Sequence, residues 1–292
     1  MKKAVHIVED SGYDLFTVTD HFMNMADPNG KYNHPLEAWT LLAALAAETS
    51  RVRLSPLVCC YGYRRPTVLA KMATTVDIIS GGRLIFGIGA GWHEAEFNGF
   101  MGKYPSGPRR LSGLKETIEI AKGMFTNERF SYDGKIYKVD NVLNSPQPIQ
   151  RPIPVMVGGG GEKRTLRYAA RYGDISHFFI GDVTQLKEKL KILKRHCQRE
   201  KTDFDRIVKG TTFRVVLGSE KEIDEKINKR AKEYHLPVEP MKNRLGLGAG
   251  KSSEVADNFK ELFDNGLGLV TLSFIDMDDI PVFANEVISQ FR

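Results

Sequence analysis

Residues 154–173 read PVMVGGGGEKRTLRYAARYG, and this stretch decides the fold. Val155-Met156-Val157 is a short apolar run of the kind that forms a buried parallel strand. Four glycines, Gly158, Gly159, Gly160 and Gly161, follow, and a helical pattern begins at about Glu162. In that helix Leu166, Ala169 and Ala170 share one face, and Lys163, Arg164, Arg167 and Arg171 share the other. Glycines let the backbone approach a ligand closely, and the first amides of a helix have no partner within it. A strand–glycine–helix junction flanked by Lys163 and Arg164 therefore reads as a cradle for phosphate or carboxylate. A flexible turn beside a solvated basic face is the bland alternative.

Working outward, the same alternation repeats. Apolar strands are expected over 15–19, 52–60, 84–88, 155–157, 174–180, 208–217 and 269–275, with helices between them. The strands are continuous apolar runs, which is how a parallel sheet covered by helices on its faces is written. Residues 130–142 alternate around Asp133-Gly134 and read as a β-hairpin inserted into one domain spanning 1–292. The expected architecture is α/β, a TIM (β/α)8-type barrel with its first strand missing, because the chain opens on a helix and shows seven strands. Either the chain starts inside the first repeat or another segment fills the gap. The Pro- and Gly-containing stretch 235–251 fits a lid and an ordinary surface connection equally well.

Composition narrows the function. With 41% hydrophobic and 27% charged residues among 292, the chain can bury a large core. No apolar run reaches membrane-spanning length, and no signal-peptide core follows Met1-Lys2-Lys3, so no membrane partner and a cytoplasmic location are expected. Cys59, Cys60 and Cys197 are too few for a disulfide framework and read as reduced thiols, and no Cys/His spacing supplies a metal site. A net charge of +6 without a basic run suits an anionic small molecule and excludes nucleic acid as the expected partner. Gly250-Lys251-Ser252 lacks the earlier P-loop glycine, since Leu245 stands there, and Gly87-Ile88-Gly89 lacks the third dinucleotide-binding glycine, since Trp92 stands there.

Barrel enzymes place chemistry at the C-terminal ends of their strands. Those ends here are Asp20-His21, Cys59-Cys60-Tyr61, Gly89-Ala90-Gly91-Trp92, the four glycines, and 177–181. His21 is the candidate proton donor or acceptor, with Asp20 holding its geometry. Trp92 and Phe22 are of a size to flank a planar ring, Met23 and Met25 to form an apolar wall, and His93 and Glu94 fit an exposed helix start.

Together the blocks TDHF (19–22), EAWTLLAALAAETSRVRL (37–54), RRPTVLAKMATTVDIISGGRLIFGIGAGWHEAEF (64–97) and PQPIQRPIPVMVGGGGEKRTLRYAARYGD (146–174) resemble the luciferase-like monooxygenase superfamily, most closely its F420-dependent oxidoreductases. The resemblance implies a barrel with the cofactor ring over the strand ends and a non-proline cis peptide near Leu57-Val58 that supports it. It also implies Asp20 and His21 near the redox edge, and a phosphate gripped by Gly160, Gly161, Glu162 and Thr165. The candidate cofactor-binding residues are then Leu57, Val58, Cys59, Gly89, Gly91, Gly158, Gly159, Gly160, Gly161, Glu162 and Thr165. The implied cofactor is coenzyme F420, with FMN as the alternative, and the implied assembly is a homodimer. The family's first strand has no counterpart, and Trp92 stands where its sugar-phosphate dehydrogenases carry an acid, which disfavours that substrate class. A barrel that binds a cofactor or partner without catalysis is the remaining alternative.

Overall fold

The computed structural model describes residues 1–24 and 34–292, so Met25 and most of the loop expected over 24–34 lie outside the described residues. Seven parallel strands form the barrel wall: β1 (Leu15–Val18), β2 (Arg53–Pro56) continued by β3 (Cys59–Cys60), β4 (Phe86–Gly89), β7 (Val155–Gly158), β8 (Ile175–His177), β9 (Val208–Leu217) and β11 (Leu269–Phe274). The one strand expected over 52–60 is thus divided. Its first half pairs with β1 and its second with β4, and the Leu57–Val58 peptide between them is cis. The hairpin is β5 (Arg129–Asp133) against β6 (Lys138–Leu143), antiparallel, and a short β10 (Ala249–Gly250) pairs with the end of β9.

Helices cover the outside: α1 (Lys2–Asp10), α2 (Ala38–Glu48), α3 (Pro66–Ile79), α4 (Glu94–Met101), α5 (Gly107–Thr126), α6 (Thr165–Tyr172), α7 (Val183–Glu200), α8 (Glu220–Tyr234), α9 (Val238–Lys242), α10 (Ser252–Asp264) and α11 (Asp279–Glu286). The stretch 235–251, expected as a loop fitting a lid or a surface connection, contains α9, whose Met241 is buried with Val216, Ile227 and Ala231. The main core lies between strands and helices, where Trp39, Leu42, Leu69, Phe86, Phe125 and Val155 are buried. At the N-terminal end of the barrel one carboxylate ties α1 to β2. Glu9 Oε1 accepts from the amides of Ser50, Arg51 and Val52 at 3.0, 2.6 and 3.0 Å. Burial acts to raise the pKa of Glu9, and these amides outweigh it, so the carboxyl titrates below its ordinary range.

The barrel is open. β11 bonds to β9 and β1 to β2, but no ladder joins β11 to β1. The seam is a cleft of about 440 Å3 lined by Leu15 and Phe16 of β1, Leu269 and Leu272 of β11, and also by Phe263 and Phe291. Among the described residues no other segment occupies this seam. At its edge Tyr13 donates to the Ile280 carbonyl at 2.7 Å and meets Phe274 edge-on, so side chains brace what hydrogen bonds do not.

Elsewhere the wall is tightly closed. A Cβ on Gly87 would lie 2.0 Å from the Pro56 carbonyl oxygen and 2.9 Å from Ser55 Oγ, because β4 passes directly against β2 there. Gly87→Ala is therefore expected to cost about 3 kcal/mol, read as a lower urea midpoint at unchanged slope. A loss below about 1 kcal/mol would show that the two strands part easily.

Candidate functional site

All seven strands run parallel, so their C-terminal ends share one rim. Cys60 is in register with Gly89, Gly89 with Gly158, and Gly158 with His177. Asp20 joins this rim through its Oδ2, which accepts from the Cys60 amide at 2.9 Å. Two strand spacings separate Cys60 from Gly158, about 10 Å, so the glycine bend and the Asp20-His21 corner face the same opening.

The corner is wired differently from the expectation. Asp20 does not hold His21. Its carboxylate, 3% exposed, accepts from both terminal nitrogens of Arg64, each at 2.9 Å, and Arg64 also bonds Glu37. Glu96 holds His21 instead. Its carboxylate is fully buried, with Oε2 2.8 Å from His21 Nδ1 and 2.6 Å from the Tyr63 hydroxyl; Oε1 accepts from the amides of Phe22 and Met23 at 2.6 and 2.9 Å. Burial acts to raise the pKa of Glu96, but the bonds from His21, Tyr63 and Met23 and the charge on His21 outweigh it, and it falls to about 2. An ionised carboxylate only accepts, so His21 Nδ1 carries a proton; Nε2, with no partner among the described residues, is the acceptor in neutral imidazole.

Glu96, Tyr63, Arg64 and Glu37 are not among the residues expected at the site. The one local signal for Glu96 was its place beside Phe97 on the helix face that turns inward. His93, expected to be exposed, is buried; it caps α4 by accepting from the Glu96 amide at 3.3 Å, while Glu94 is exposed as expected. Phe22 does not flank an open ring site: it packs against Tyr63 and Phe100 at centroid distances of 4.9 and 4.5 Å. Trp92, 62% exposed, stands edge-on to His21, and Phe179, 75% exposed, stands edge-on to His177. These two aromatics are free to wall a ligand.

Beneath the rim the residues are small for a reason. A Cβ on Gly89 or Gly158 would lie 2.8 or 2.6 Å from the Val58 side chain, so Val58 packs flat against both backbones. Leu57 and Val58 belong to a cluster inside the barrel with Ile85, Met156 and Ile175. Cys59 is fully buried, and its side chain packs into the core. Burial raises the pKa of both thiols, that of Cys60 to about 12, so neither is a nucleophile at neutral pH. Gly91 has φ 67°, and a Cβ there would meet Cys60 Sγ at 2.3 Å. Burial lowers the pKa of His177 to about 4, which keeps it neutral among Thr212 and Thr271.

At the bend α6 begins at Thr165, three residues later than expected, and residues 159–164 form the loop between β7 and α6. Gly159 has φ 121° and its amide donates to the His177 carbonyl at 2.8 Å. The amides of Gly160, Gly161 and Glu162 have no acceptor among the described residues, and Gly161 and Glu162 are exposed. A Cβ on Gly161 would lie 2.8 Å from Thr165 Oγ1, so glycine keeps the space beside that hydroxyl clear. Free amides, a hydroxyl and a helix start together fit a phosphate. The Glu162 side chain turns away to Lys189, at 2.8 Å.

Fold and rim define an α/β barrel of TIM type, open at one seam, with amides at the glycine bend that have no acceptor among the described residues and a carboxylate-held imidazole at its C-terminal face. The chain belongs to the luciferase-like monooxygenase family, whose model matches residues 1–267. It is 31% identical over 170 residues to an F420-dependent glucose-6-phosphate dehydrogenase of Nocardia farcinica, across 58% of this chain and 49% of that one. The chain spans about half to two thirds of the length of the curated relatives it matches. Two solved structures share the fold. An F420-dependent secondary alcohol dehydrogenase in complex with an F420-acetone adduct superposes with a TM-score of 0.85 at 18% identity, over all of this chain and 94% of the other. The FMN-bound oxygenating constituent of 3,6-diketocamphane monooxygenase of Pseudomonas putida gives 0.76 at 16% identity, over 99% and 92%. Among the described residues no helix is long and apolar enough to cross a membrane.

Proposed function

We propose that this protein is an oxidoreductase that passes a hydride between coenzyme F420 and a small organic substrate. The observation that carries the reading is the common rim: free amides at the glycine bend face the same opening as an imidazole oriented by a buried carboxylate. The names of the curated sugar-phosphate dehydrogenases and of the alcohol dehydrogenase structure favour F420. Gly160, Gly161, Glu162 and Thr165 are the residues to hold its phosphate, and Gly89, Gly158 and Val58 to support its ring. Bound there, the deazaflavin supplies a two-electron hydride carrier.

The protein's own part is positioning and proton transfer. Glu96 keeps the proton of neutral His21 on Nδ1, so Nε2 takes a proton from an alcohol as it is oxidised, or from the imidazolium returns one to a carbonyl as it is reduced. Glu96 stabilises the imidazolium while the proton is held there. Exposed Trp92 and Phe179 offer apolar walls for a small substrate. FMN with oxygen activation is the second reading, favoured by the FMN-bound relative of the same fold.

Fluorescence titration of the protein with F420 and with FMN separates the two: F420 is expected to bind more tightly. Tight FMN binding with oxygen consumption would overturn the assignment. His21→Ala is expected to lower turnover by about 10²–10⁴-fold with cofactor affinity little changed. Undiminished turnover would remove His21 from the chemistry.

A further inference from the structure

Beside the glycine bend lies a cleft of about 340 Å3 between the turn before α6 and one face of α7. Ile192, Arg195, His196 and Arg199 recur at helical spacing and line one wall, and Glu162 and Lys163 line the other. Lys163, Arg195 and Arg199 are exposed, and the carboxylates nearby are engaged by other cations. Glu162 pairs with Lys189 at 2.8 Å, and Glu200 with Arg167 and Arg171 at 2.5 and 3.6 Å. His196 is 7% exposed. Its Nε2 lies 2.7 Å from the Glu162 carbonyl oxygen, which only accepts, so Nε2 carries a proton and the buried Nδ1 has no partner among the described residues.

Lys163, Arg195 and Arg199 form no ion pair within 4 Å among the described residues, Arg195 acting on Glu162 only at longer range, and like charges so gathered repel one another, while a buried ring nitrogen without a partner costs free energy. An anion with more than one negative group relieves the first, and an imidazole protonated beside it relieves the second. The cleft also starts where the cradle ends. Glu162 and Lys163 follow Gly161 directly, so at most about 7 Å of chain separates the two.

We infer that this cleft holds the carboxylates of an anionic chain that runs on from a phosphate seated at the glycine bend. The inference rests on the deazaflavin reading and deepens it. F420 continues past its phosphate into a carboxylate-bearing tail, whereas FMN ends at its phosphate. Lys163, Arg195 and Arg199 then discriminate between the cofactors at a distance from the ring.

The test is a fluorescence binding titration with two probes, F420 and the same deazaflavin phosphate with its carboxylate tail removed. Each is measured on the wild type and on Arg195→Ala/Arg199→Ala. The wild type is expected to prefer the tailed form by about tenfold, the preference shrinking as salt is raised, and the double variant to lose most of it while holding the tailless form unchanged. Equal wild-type affinity for both probes, or a preference that survives the double substitution, overturns the inference and leaves the cofactor reading standing. Failure of the wild type to bind either probe overturns both. Arg195→Lys/Arg199→Lys, which keeps the charge, is expected to retain the preference, and its loss there would also count against a charge-based site.

Discussion

Glu96→Gln is expected to lower kcat by about 10²–10³-fold while F420 affinity stays within about twofold. Four donors converge on this carboxylate: His21 Nδ1, the Tyr63 hydroxyl and the amides of Phe22 and Met23. A carboxamide has the same shape but replaces one accepting oxygen with a donating NH2, which cannot face two donors without leaving a buried polar group unmatched. The His21 ring then loses both the partner that places its proton on Nδ1 and the charge that stabilises its imidazolium. Kinetics on the first active substrate, with a nitrogen-15 spectrum of the ring, check this; a variant with wild-type kcat would remove Glu96 from the mechanism. The same group sets an acid limit. Its pKa is lowered to about 2 in the folded protein, so its stabilisation is complete above the unfolded carboxyl value of 4.5 and is lost as pH falls towards 2. The Gln variant is expected to be less stable at neutral pH and to lose less of what remains over that acid window.

Arg64→Met should be the most damaging single change to the fold at the rim. It leaves Asp20 buried and charged with the Cys60 amide as its one remaining partner among the described residues. Breaking a buried pair from one side costs about 3–5 kcal/mol, which corresponds to a fall of about 10 °C in the melting temperature of a chain of this size. Adding Asp20→Asn removes the orphaned charge and is expected to recover part of the loss, since a neutral amide is cheaper to bury. A single variant that melts within about 2 °C of the wild type would show that the Asp20 carboxylate reaches water or takes up a proton instead.

How much of this was legible from residues alone differs by element. The strand and glycine bend at 154–161 announced themselves through an apolar run of strand length and a backbone freed of side chains, and β7 and the bend follow it. The open seam was legible as a count, because each strand of a parallel barrel must be a separate apolar run and one was missing. The start of α6 was placed three residues early because Glu162, Lys163 and Arg164 suit a helix by propensity. The break at Leu57-Val58 is invisible in an unbroken apolar run over 52–60, and it came only from the family likeness.

What the chain by itself determined is the parallel barrel, the count of seven apolar strands and the rim on which chemistry can sit, because hydrophobic period and glycine placement are local properties. Tertiary structure alone decided which charges meet. Asp20 and His21 are neighbours in sequence, yet successive side chains near a strand end point apart, so one turns to Arg64 and the other to Glu96, 75 residues away. Such pairings depend on the register of whole strands and on how α4 is laid against them, and no spacing within the sequence encodes that.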